Sequence, residues 1–507
     1  MNPLEFFKRL NEQVLRSPDM VVLYSEEHSV KWESLLDEIQ QRAMWLEKKR
    51  IKRLGLLADN SVNWILWDLA GLLTQTVLVP IPGFFSVQQK KNILDHAVLD
   101  YVLSDQREFA DDLSLNVQSG TPVGTGISTC YFWVFQLNIE TTSIPYVHEE
   151  TAKITFTSGS TGEPKGVMLS AGQQLKVADS LAISLDNMQV KKHDCILPLA
   201  TLLENIAGVY APLLIGATVH VSAMSEVGFK GASELDVPQF VRGLHQRSGE
   251  SLILLPQLLL ALVSCIESGT PVPAALKYIA VGGARVSEAL LQRAENLGLP
   301  VYQGYGLSEN SSVSTLNTPE SNRRGSVGRA LPHNQIRICS LGEVQIKGNQ
   351  MLGYLGCKEN TNDWLSTGDI GYLDSEGFLF IEGRKKNVFI TSFGRNVNPE
   401  WVESELASSY EIAQSIVFGE AQAFNLAIIF PRFPHCKDQQ IQEAVDRVNT
   451  CLPDYARVKT WLRADTPFTF ENGLATSNGR PKRQNILNFF RAQTSALYEQ
   501  TKQMQEH

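Results

Sequence analysis

Residues 154–170 read ITFTSGSTGEPKGVMLS, a stretch in which apolar and β-branched residues lead into hydroxyls and glycines. The stretch offers several hydroxyl donors, freely oriented backbone N–H groups and one cation, Lys165. A polyphosphate is bound by groups of these kinds. The stretch is not a Walker A loop, because no glycine immediately precedes Lys165 and neither serine nor threonine follows it. It therefore predicts a phosphate-binding loop of another type, with a Gly/Ser-rich surface turn as the alternative.

The size and composition of the chain are those of a globular protein with two or more domains. It has 507 residues, of which 43% are apolar and 20% are charged. The formal net charge of −9 argues against a nucleic-acid-binding surface. The longest apolar run, residues 252–263, is shorter than the roughly 20 residues of a membrane span, so at most peripheral membrane contact is expected. Seven scattered cysteines without a C-x-x-C pair predict neither a disulfide framework nor a zinc site, and indicate a cytoplasmic protein.

The hydrophobic pattern predicts a large α/β domain followed by a smaller one. Helical periods alternate with short apolar runs, as in residues 32–48 and 53–58, and the run 195–197 continues the pattern as a predicted strand. The alternation predicts layered α/β subdomains with a largely parallel sheet. From about Ser326, short β-like segments with glycine turns predict a β-rich subdomain. A cationic joint at 383–386 precedes a region with its own predicted strands and helices, the last of them over 483–500. We therefore predict an N-terminal domain over 1–383 and a small, mobile α+β C-terminal domain over 384–507.

Five further motifs follow the 154–170 loop. Each alone has an ordinary structural interpretation, such as a turn, a cap or a solvated charge run, but their fixed order argues against coincidence. They are LPL at 197–199 with EN at 204–205, YIAVGGAR at 278–285, YQGYGLSE at 302–309, STGD at 366–369 with GRKK at 383–386, and G-x-x-V-x-P at 394–399. The set resembles the adenylate-forming superfamily of AMP-binding enzymes over residues 20–490. The strings at 388–403 and 468–476 most resemble bacterial medium- and long-chain fatty acyl-CoA synthetases.

The resemblance implies a two-step ligase that uses ATP and Mg²⁺ to convert a fatty acid to acyl-AMP, and then transfers the acyl group to coenzyme A. It implies that Ser308 contacts the α-phosphate and that Glu309 holds Mg²⁺, a cation that prefers oxygen ligands. It also implies that the ATP phosphates are bound by residues of the first loop: Thr157, Ser158, Gly159, Ser160, Thr161, Gly162 and Lys165.

The nucleoside half of ATP is assigned by the same resemblance. The adenine would approach the backbone of Gly282, Gly283 and Ala284, and Tyr305, which precedes Gly306, would stack on or flank it. Asp369 would accept the ribose hydroxyls, and Arg384 would support the ribose-phosphate side. Lys386 would be the hinge residue about which the small domain rotates between the two half-reactions.

Two positions depart from the family pattern. The family carries a lysine near the end of the small domain that bridges the carboxylate and the α-phosphate, and the aligned residue here is Arg480. Arginine keeps the charge but differs from lysine in reach and shape. We predict that Arg480 takes this catalytic role, with Lys482 or slow adenylation as the alternatives. The segment with LPL and EN resembles the one that lines the acyl pocket in acyl-CoA synthetases. Within it, Thr201 stands where long-chain synthetases usually have histidine, which leaves the acyl chain length open.

Two other functions stay open at this point. An acyl-AMP ligase would pass its acyl group to an acyl-carrier protein instead of coenzyme A, and nothing in the sequence separates the two acceptors. A degenerate member would bind nucleotide or acyl chains without catalysis, and Arg480 is its only support. The segment after Leu199 lacks the aspartate with which amino-acid-activating domains hold an α-ammonium, which argues against an amino-acid substrate.

Overall fold

The structure is a computed structural model that describes residues 1–108, 117–122, 132–137, 145–157, 165–230, 234–357, 362–476 and 479–505. Of residues 117–122 and 500–505 it describes the backbone alone. The described residues form two large sheets in the N-terminal part, a four-stranded and a three-stranded sheet later in the chain, and two two-stranded sheets. No helix in the described residues is both long enough and apolar enough to span a membrane.

The first large sheet has nine strands and is parallel at its centre. Its strands are β1 (Val21–Tyr24), β2 (Ser29–Lys31), β10 (Lys192–Cys195), β11 (Thr218–Val221), β14 (Ser251–Leu254), β15 (Tyr278–Val281), β16 (Val301–Leu307), β17 (Ser312–Leu316) and β18 (Arg329–Ala330). They lie in the order β18-β17-β16-β15-β14-β10-β11-β1-β2. The pairs from β1 through β11, β10, β14 and β15 to β16 are parallel, whereas β2, β17 and β18 are antiparallel to their neighbours.

The second large sheet has eight strands, and the predicted phosphate loop connects two of them. Its strands are β3 (Arg53–Leu57), β4 (Val77–Pro80), β5 (Tyr101–Ser104), β6 (Val117–Pro122), β7 (Trp133–Leu137), β8 (Thr151–Thr157), β9 (Lys165–Ser170) and β21 (Gly353–Tyr354). The order is β21-β9-β8-β4-β3-β5-β7-β6. Strands β3, β4, β5 and β8 are parallel, and β9 returns antiparallel to β8.

The remaining strands form smaller units. A four-stranded antiparallel sheet in the order β19-β20-β22-β23 and a three-stranded sheet in the order β26-β27-β28 belong to the last third of the chain. The strands are β12 (Phe229–Lys230), β13 (Glu234–Leu235), β19 (Gln335–Ile338), β20 (Glu343–Lys347), β22 (Leu365–Leu373), β23 (Leu379–Arg384), β24 (Phe389–Ile390), β25 (Asn396–Val397), β26 (Ile412–Phe418), β27 (Asn425–Pro431) and β28 (Val458–Arg463).

Helices cover the large sheets and both faces of the last sheet. The described α-helices are α1 (Pro3–Arg16), α2 (Trp32–Lys49), α3 (Val62–Thr74), α4 (Val87–Ala97), α5 (Ala171–Asn187), α6 (Ala211–Leu214), α7 (Met224–Val227), α8 (Val237–Arg247), α9 (Pro256–Glu267), α10 (Glu288–Asn296), α11 (Pro399–Ala407), α12 (Asp438–Cys451), α13 (Arg483–Phe489) and α14 (Arg491–Gln505). A π-helical segment, Glu204–Tyr210, leads directly into α6.

Local sequence determines where α5 begins. Ser170 caps it, because its hydroxyl accepts a hydrogen bond from the N–H of Gln173 at 3.2 Å. In return, the N–H of Ser170 donates a hydrogen bond to the side-chain oxygen of Gln173 at 2.8 Å. This reciprocal capping box ends β9 and starts the helix within one residue.

The main apolar core lies where helices α2, α3 and α5 pack between strands of the two large sheets. Trp64 on α3, Leu54 on β3 and Val219 on β11 are fully buried in this one cluster. In the last sheet, residues of β27 alternate between two clusters: Ala427 faces one and Ile428 the other. This period of two is what a strand covered on both faces requires.

The predicted fold class is confirmed: a large N-terminal α/β part carries a β-rich unit and is followed by a smaller α+β part. Two local predictions were wrong. The apolar run 195–197 predicts a strand, but β10 ends at Cys195, because Asn60 takes the carbonyl of Leu197 and the N–H of Leu199 out of strand pairing. The single helix predicted over 483–500 is divided at Phe490, whose ring is buried in the C-terminal core.

Candidate active site

The pairing of β8 with β9 holds the two ends of the predicted phosphate loop together. Thr157 and Lys165 face each other in this antiparallel register, and the Thr157 hydroxyl lies 3.5 Å from the carbonyl oxygen of Lys165. The other predicted loop residues lie outside the described residues: Ser158, Gly159, Ser160, Thr161 and Gly162. The loop therefore begins and ends at one place, where Lys165 exposes its side chain.

Tyr354 connects two of the predicted site residues. The Lys165 ammonium lies 5.3 Å from the centre of the Tyr354 ring, within cation–π range. The Tyr354 hydroxyl donates to Glu309 Oε1 at 3.0 Å. Burial and the neighbouring Glu309 carboxylate raise the pKa of the Tyr354 phenol, so it stays a donor at neutral pH. A single tyrosine in a glycine-containing segment gave no sequence signal for this position.

Glu309 lies in a short 3₁₀ turn, Ser308–Asn310, that follows β16. Its backbone carbonyl accepts from the N–H of Met351 at 2.8 Å, which ties the turn to the segment preceding β21. Strand β21 pairs with β9, the strand that begins at Lys165. This pairing holds Ser308 and Glu309 on the same side of the sheet edge as Lys165.

The glycines of the YIAVGGAR and YQGYGLSE motifs allow neighbouring backbone segments to lie close together. A Cβ on Gly282 would lie 3.2 Å from the carbonyl oxygen of Gly304, and one on Gly306 would lie 1.7 Å from that of Ser312. Gly283 has φ +79°, a conformation that favours glycine. Gly283 and Ala284 are exposed at the carboxyl end of β15. Crevices at the carboxyl ends of parallel strands are where open α/β sheets bind nucleotides.

Asp369 is the best-supported carboxylate of the site. It is 3% exposed and accepts from the Tyr305 hydroxyl at 2.6 Å and from Arg384 Nε at 2.9 Å. Burial raises the pKa of Asp369, while Arg384 and the Tyr305 hydrogen bond oppose the rise. The register of β22 and β23 sets Asp369 directly opposite Arg384, and Arg384 also donates to the carbonyl of Thr367 at 3.1 Å. The STGD and GRKK motifs therefore meet across one strand pair.

The Arg480 guanidinium lies within the electrostatic influence of the candidate site. The charges that act on Arg480 are those of Arg384, Glu400, Asp369 and Glu309, three of which belong to motifs of the N-terminal part or the joint. Desolvation and Arg384 lower the pKa of Arg480, but its side chain keeps exposed surface and stays cationic.

Lys482 contacts an aromatic ring of the C-terminal part. Its ammonium lies 5.8 Å from the ring centre of Phe470, a residue of the C-terminal part. The two cations lie on either side of Pro481, in a segment that pairs antiparallel with residues 474–476: the N–H of Thr476 donates to the carbonyl of Arg480 at 2.8 Å, and the N–H of Lys482 donates to that of Leu474.

The predicted hinge lies just after β23. Lys386 is exposed, and desolvation and the Arg384 charge lower its pKa. A Cβ on Gly383 would lie 2.0 Å from the Asn398 amide, so the chain of the joint packs directly against the N-cap of α11. Arg293 of α10 donates to the carbonyl of Ser408 at 2.9 Å, which is a contact across the predicted domain boundary. That boundary stays a prediction.

The segment predicted to line the acyl pocket is buried at both ends. Leu197 is 2% exposed and Leu199 is 0% exposed. Asn205 does not face an open pocket: its amide donates to Asp68 Oδ2 at 2.8 Å, and its carbonyl oxygen accepts from Lys153. Sequence reasoning missed this buried network, because Asp68 and Lys153 lie far apart in the chain.

Comparison with known protein families agrees with this geometry. The family model described as AMP-binding enzyme matches residues 10–358, which is more than half of the chain. The chain belongs to the AMP-binding enzyme family. A second model, described as AMP-binding enzyme C-terminal domain, matches residues 386–502. The identification made from the ordered motifs is therefore confirmed for this AMP-binding enzyme.

Two similar curated proteins are 2-succinylbenzoate–CoA ligases. That of Bacillus pumilus (strain SAFR-032) is 30% identical over 301 residues, 56% of this chain and 59% of the relative. That of Bacillus cereus (strain AH820) is 28% identical over 435 residues, 81% of this chain and 84% of the relative. The match to the first relative thus spans about three fifths of its length.

A similar solved structure is O-succinylbenzoate coenzyme A synthetase (MenE) from Bacillus subtilis in complex with ATP and magnesium ion. It has a TM-score of 0.74 and 22% sequence identity, and the match covers 94% of this chain and 98% of that one. At this identity the likeness shows the fold of the AMP-binding enzyme, and the ATP and magnesium ion are those of the neighbour. They agree with the cofactors expected from the sequence.

Proposed function

We propose that this AMP-binding enzyme is an acid–thiol ligase that forms AMP. In the first step a carboxylate oxygen attacks the α-phosphorus of ATP, the bond to the bridging oxygen breaks, and pyrophosphate leaves with acyl-AMP as product. In the second step a thiol, that of coenzyme A, attacks the acyl carbonyl, loses its proton, and releases AMP. One arrangement supports the proposal: Tyr354 joins Lys165 to Glu309 just after β16, and Tyr305 on β16 donates to Asp369, which also accepts from Arg384.

The first step needs two anions to meet, so positioning and electrostatic stabilisation dominate its rate. Lys165 exposes an ammonium at the end of the phosphate loop, where the β- and γ-phosphates would lie. Arg480 approaches from the C-terminal part and would hold the acid's carboxylate against the α-phosphate. Its guanidinium can donate to two oxygens at once.

Glu309 fits a Mg²⁺ site. Among the described residues its carboxylate accepts from the Tyr354 hydroxyl on Oε1, and its other lone pairs can bind a cation that prefers oxygen ligands. Mg²⁺ bound here would neutralise charge on the leaving pyrophosphate. Tyr354 would then fix the direction of the carboxylate.

Asp369 would hold the ribose. Its two oxygens already accept from Tyr305 and Arg384, which fixes the carboxylate plane and leaves a second lone pair on each oxygen for the ribose hydroxyls. Because Tyr305 uses its hydroxyl on Asp369, its ring direction is fixed on β16, the strand that pairs with β15, after which Gly282 and Gly283 follow. This arrangement favours a flanking position of Tyr305 beside the adenine.

We further propose an acid with an apolar body, such as a fatty acid. Residues 196–209, ILPLATLLENIAGV, contain no lysine or arginine, and their one charged residue, Glu204, is an acid. This segment supplies no cation for a second carboxylate. A second candidate is an aromatic dicarboxylic acid of the 2-succinylbenzoate type, and the names of the relatives support it.

The test is pyrophosphate release with ATP and Mg²⁺ across fatty acids of increasing length and 2-succinylbenzoate, each with and without coenzyme A, with products identified by mass spectrometry. Acyl-CoA with a fatty acid is the expected result, and turnover with 2-succinylbenzoate alone would establish the second candidate. Acyl-AMP without a thioester would indicate an acyl-carrier protein as acceptor. No pyrophosphate with any acid would overturn the ligase in favour of a non-catalytic binder.

A further inference from the structure

Three side chains that can bind a metal ion lie together in the interior. His193 and Cys195 are two residues apart on β10, so both side chains point to the same face of the sheet. Glu204, the first residue of the π-helical segment, faces them. One ligand atom from each residue lies within 4.8 Å of the other two, and His193 Nε2 is 3.5 Å from Glu204 Oε1.

The space between these side chains exists because residue 208 is glycine. A Cβ on Gly208 would lie 2.5 Å from Glu204 Oε1 and 2.9 Å from His193 Nε2. Any other residue would therefore push the carboxylate and the imidazole out of place. The π-helical turn that carries both Glu204 and Gly208 is a rare conformation that occurs frequently at functional sites.

The cluster contains polar atoms without a hydrogen-bond partner. Both carboxylate oxygens of Glu204 and Nε2 of His193 are buried and accept or donate no hydrogen bond within the described part of the chain. The Glu204 side chain is 0% exposed, and its only ion-pair partner among the described residues is His193. Burying an unpaired carboxylate is costly, so a group that pairs with it would stabilise the fold.

The donors suit a transition metal. His193 Nδ1 lies 2.8 Å from the hydroxyl of Ser251, a partner that can hold the proton on Nδ1 and leave the Nε2 lone pair free for a metal. A thiolate, a carboxylate and a neutral imidazole would together neutralise a divalent ion. Sulfur and nitrogen ligands favour Zn²⁺ over Mg²⁺ or Ca²⁺.

We propose that His193, Cys195 and Glu204 bind a divalent transition-metal ion, Zn²⁺ by donor set, that fixes the π-helical segment to β10. On binding, Cys195 releases its thiol proton to solvent and gives up its 3.2 Å contact with the Gly208 carbonyl, and the metal accepts lone pairs from the three side chains.

The site would hold both ends of the segment 196–203, which contains the LPL motif and Thr201. It would thus support the predicted wall of the acyl pocket from behind, whatever acid is bound. The ligand spacing H-x-C-x8-E contains no C-x-x-C pair, which is why the cysteine pattern predicts no zinc site.

The test is the metal content and the Co²⁺ spectrum of the full chain, purified without chelator. We expect about one Zn²⁺ per chain, a melting temperature that falls after chelation and recovers with Zn²⁺, and thiolate-to-Co²⁺ charge-transfer absorption after exchange. Cys195→Ala should lose all three, whereas Cys265→Ala, a matched change of a half-buried cysteine outside the cluster, should keep them.

Folded wild-type protein without stoichiometric metal and without the charge-transfer band would overturn the proposal, and so would full metal retention in Cys195→Ala. If Cys195→Ala does not fold, X-ray absorption of the wild-type zinc form decides. One sulfur neighbour together with nitrogen and oxygen neighbours supports the site, and a shell without sulfur excludes it.

Discussion

Tyr305 donates its phenolic hydrogen to Asp369 Oδ2 across 2.6 Å, linking the YQGYGLSE and STGD motifs before any nucleotide is bound. Burial raises the pKa of the Tyr305 phenol, so it remains a donor at neutral pH. The Asp369 carboxylate is therefore already oriented. An acceptor that is fixed in advance costs less entropy when the ribose binds.

The first prediction concerns this hydrogen bond. Tyr305→Phe keeps the ring and removes the donor, so we expect the KM for ATP to rise about tenfold, which corresponds to about 1.4 kcal/mol for a hydrogen bond to a charged group. Tyr302→Phe is the matched control, because the Tyr302 ring stacks on Tyr278 and lies outside the Asp369 contacts. Steady-state kinetics with varied ATP provide the measurement. An equal rise in both variants would refute a specific role for the Tyr305 hydroxyl.

The second prediction separates Arg480 from Lys482. Arg480→Ala should lower acyl-AMP formation by about 100-fold, as expected when one charged stabilising group is removed from a transition state. Lys482→Ala should change it by less than about threefold, because the Lys482 ammonium lies against Phe470. Arg480→Lys should restore part of the rate. ATP–pyrophosphate exchange measures this step alone.

The same variants should behave differently in the second step. Synthetic acyl-AMP supplied with coenzyme A bypasses adenylation, so Arg480→Ala should form thioester at nearly the wild-type rate. Equal losses in both half-reactions would mean that Arg480 maintains the structure instead of stabilising the first transition state.

The third prediction concerns Glu309 and Tyr354. Glu309→Gln removes the charge that would hold Mg²⁺, so pyrophosphate release should fall by about 100-fold at any Mg²⁺ concentration used. Tyr354→Phe removes only the 3.0 Å hydrogen bond, so the Mg²⁺ concentration for half-maximal rate should shift by less than about tenfold. A Mg²⁺ titration of both variants tests this, and full activity of Glu309→Gln would overturn the assignment.

The motif residues could be predicted because they are local strings that recur in a fixed order. Asp369 and Arg384 meet because the STGD and GRKK strings face each other on paired antiparallel strands. Tyr354, by contrast, reaches Glu309 only through the pairing of a two-residue strand, Gly353–Tyr354, with β9. No periodicity or spacing in the chain reports such a contact.

The interior polar groups could not be predicted for a similar reason. Asp68, Lys153 and Asn205 come from a helix, a strand and a π-helical turn that are far apart in sequence. A single charged residue in an apolar segment is compatible with a solvated face or a buried pair. Tertiary packing decides between the two.

The fourth prediction concerns stability in acid. His333 lies with Nε2 3.1 Å from the carbonyl of Val313 and Nδ1 2.8 Å from the Ser180 hydroxyl, and burial lowers its pKa to about 4. The unfolded chain takes up this proton near pH 6.5, and the folded chain does so only near pH 4. The neutral His333 side chain therefore makes its full contribution to the free energy of unfolding above pH 6.5. This contribution, up to about 3 kcal/mol, is lost as pH falls toward 4.

Urea unfolding between pH 7 and 4 measures this effect. His333→Gln should flatten the loss of unfolding free energy over that interval, whereas His435→Gln, a change of an exposed histidine, should leave the profile unchanged. Parallel profiles for the wild type and His333→Gln would show that His333 is not the group responsible.

The fifth prediction concerns the buried pair of Lys153 and Asp68, whose Nζ–Oδ1 distance is 2.8 Å and whose side chains are 3% and 1% exposed. Asp68 also accepts from Tyr210 at 2.6 Å, so one carboxylate joins α3, β8 and the π-helical segment. Lys153→Met leaves that carboxylate buried without a cation. We expect a loss of about 3–5 kcal/mol in unfolding free energy, because the cost of desolvating Asp68 is no longer offset.

Adding Asp68→Asn to Lys153→Met removes the stranded charge and should recover most of that loss, since a neutral amide can still bond Asn205 and Tyr210. The exposed pair of Lys277 and Glu250, at 3.1 Å, provides the control: Lys277→Met should cost less than about 1 kcal/mol. Urea unfolding followed by circular dichroism gives all of these values. A double variant no more stable than Lys153→Met would mean that the packing of the lysine stem, and not the unpaired charge, determines the loss.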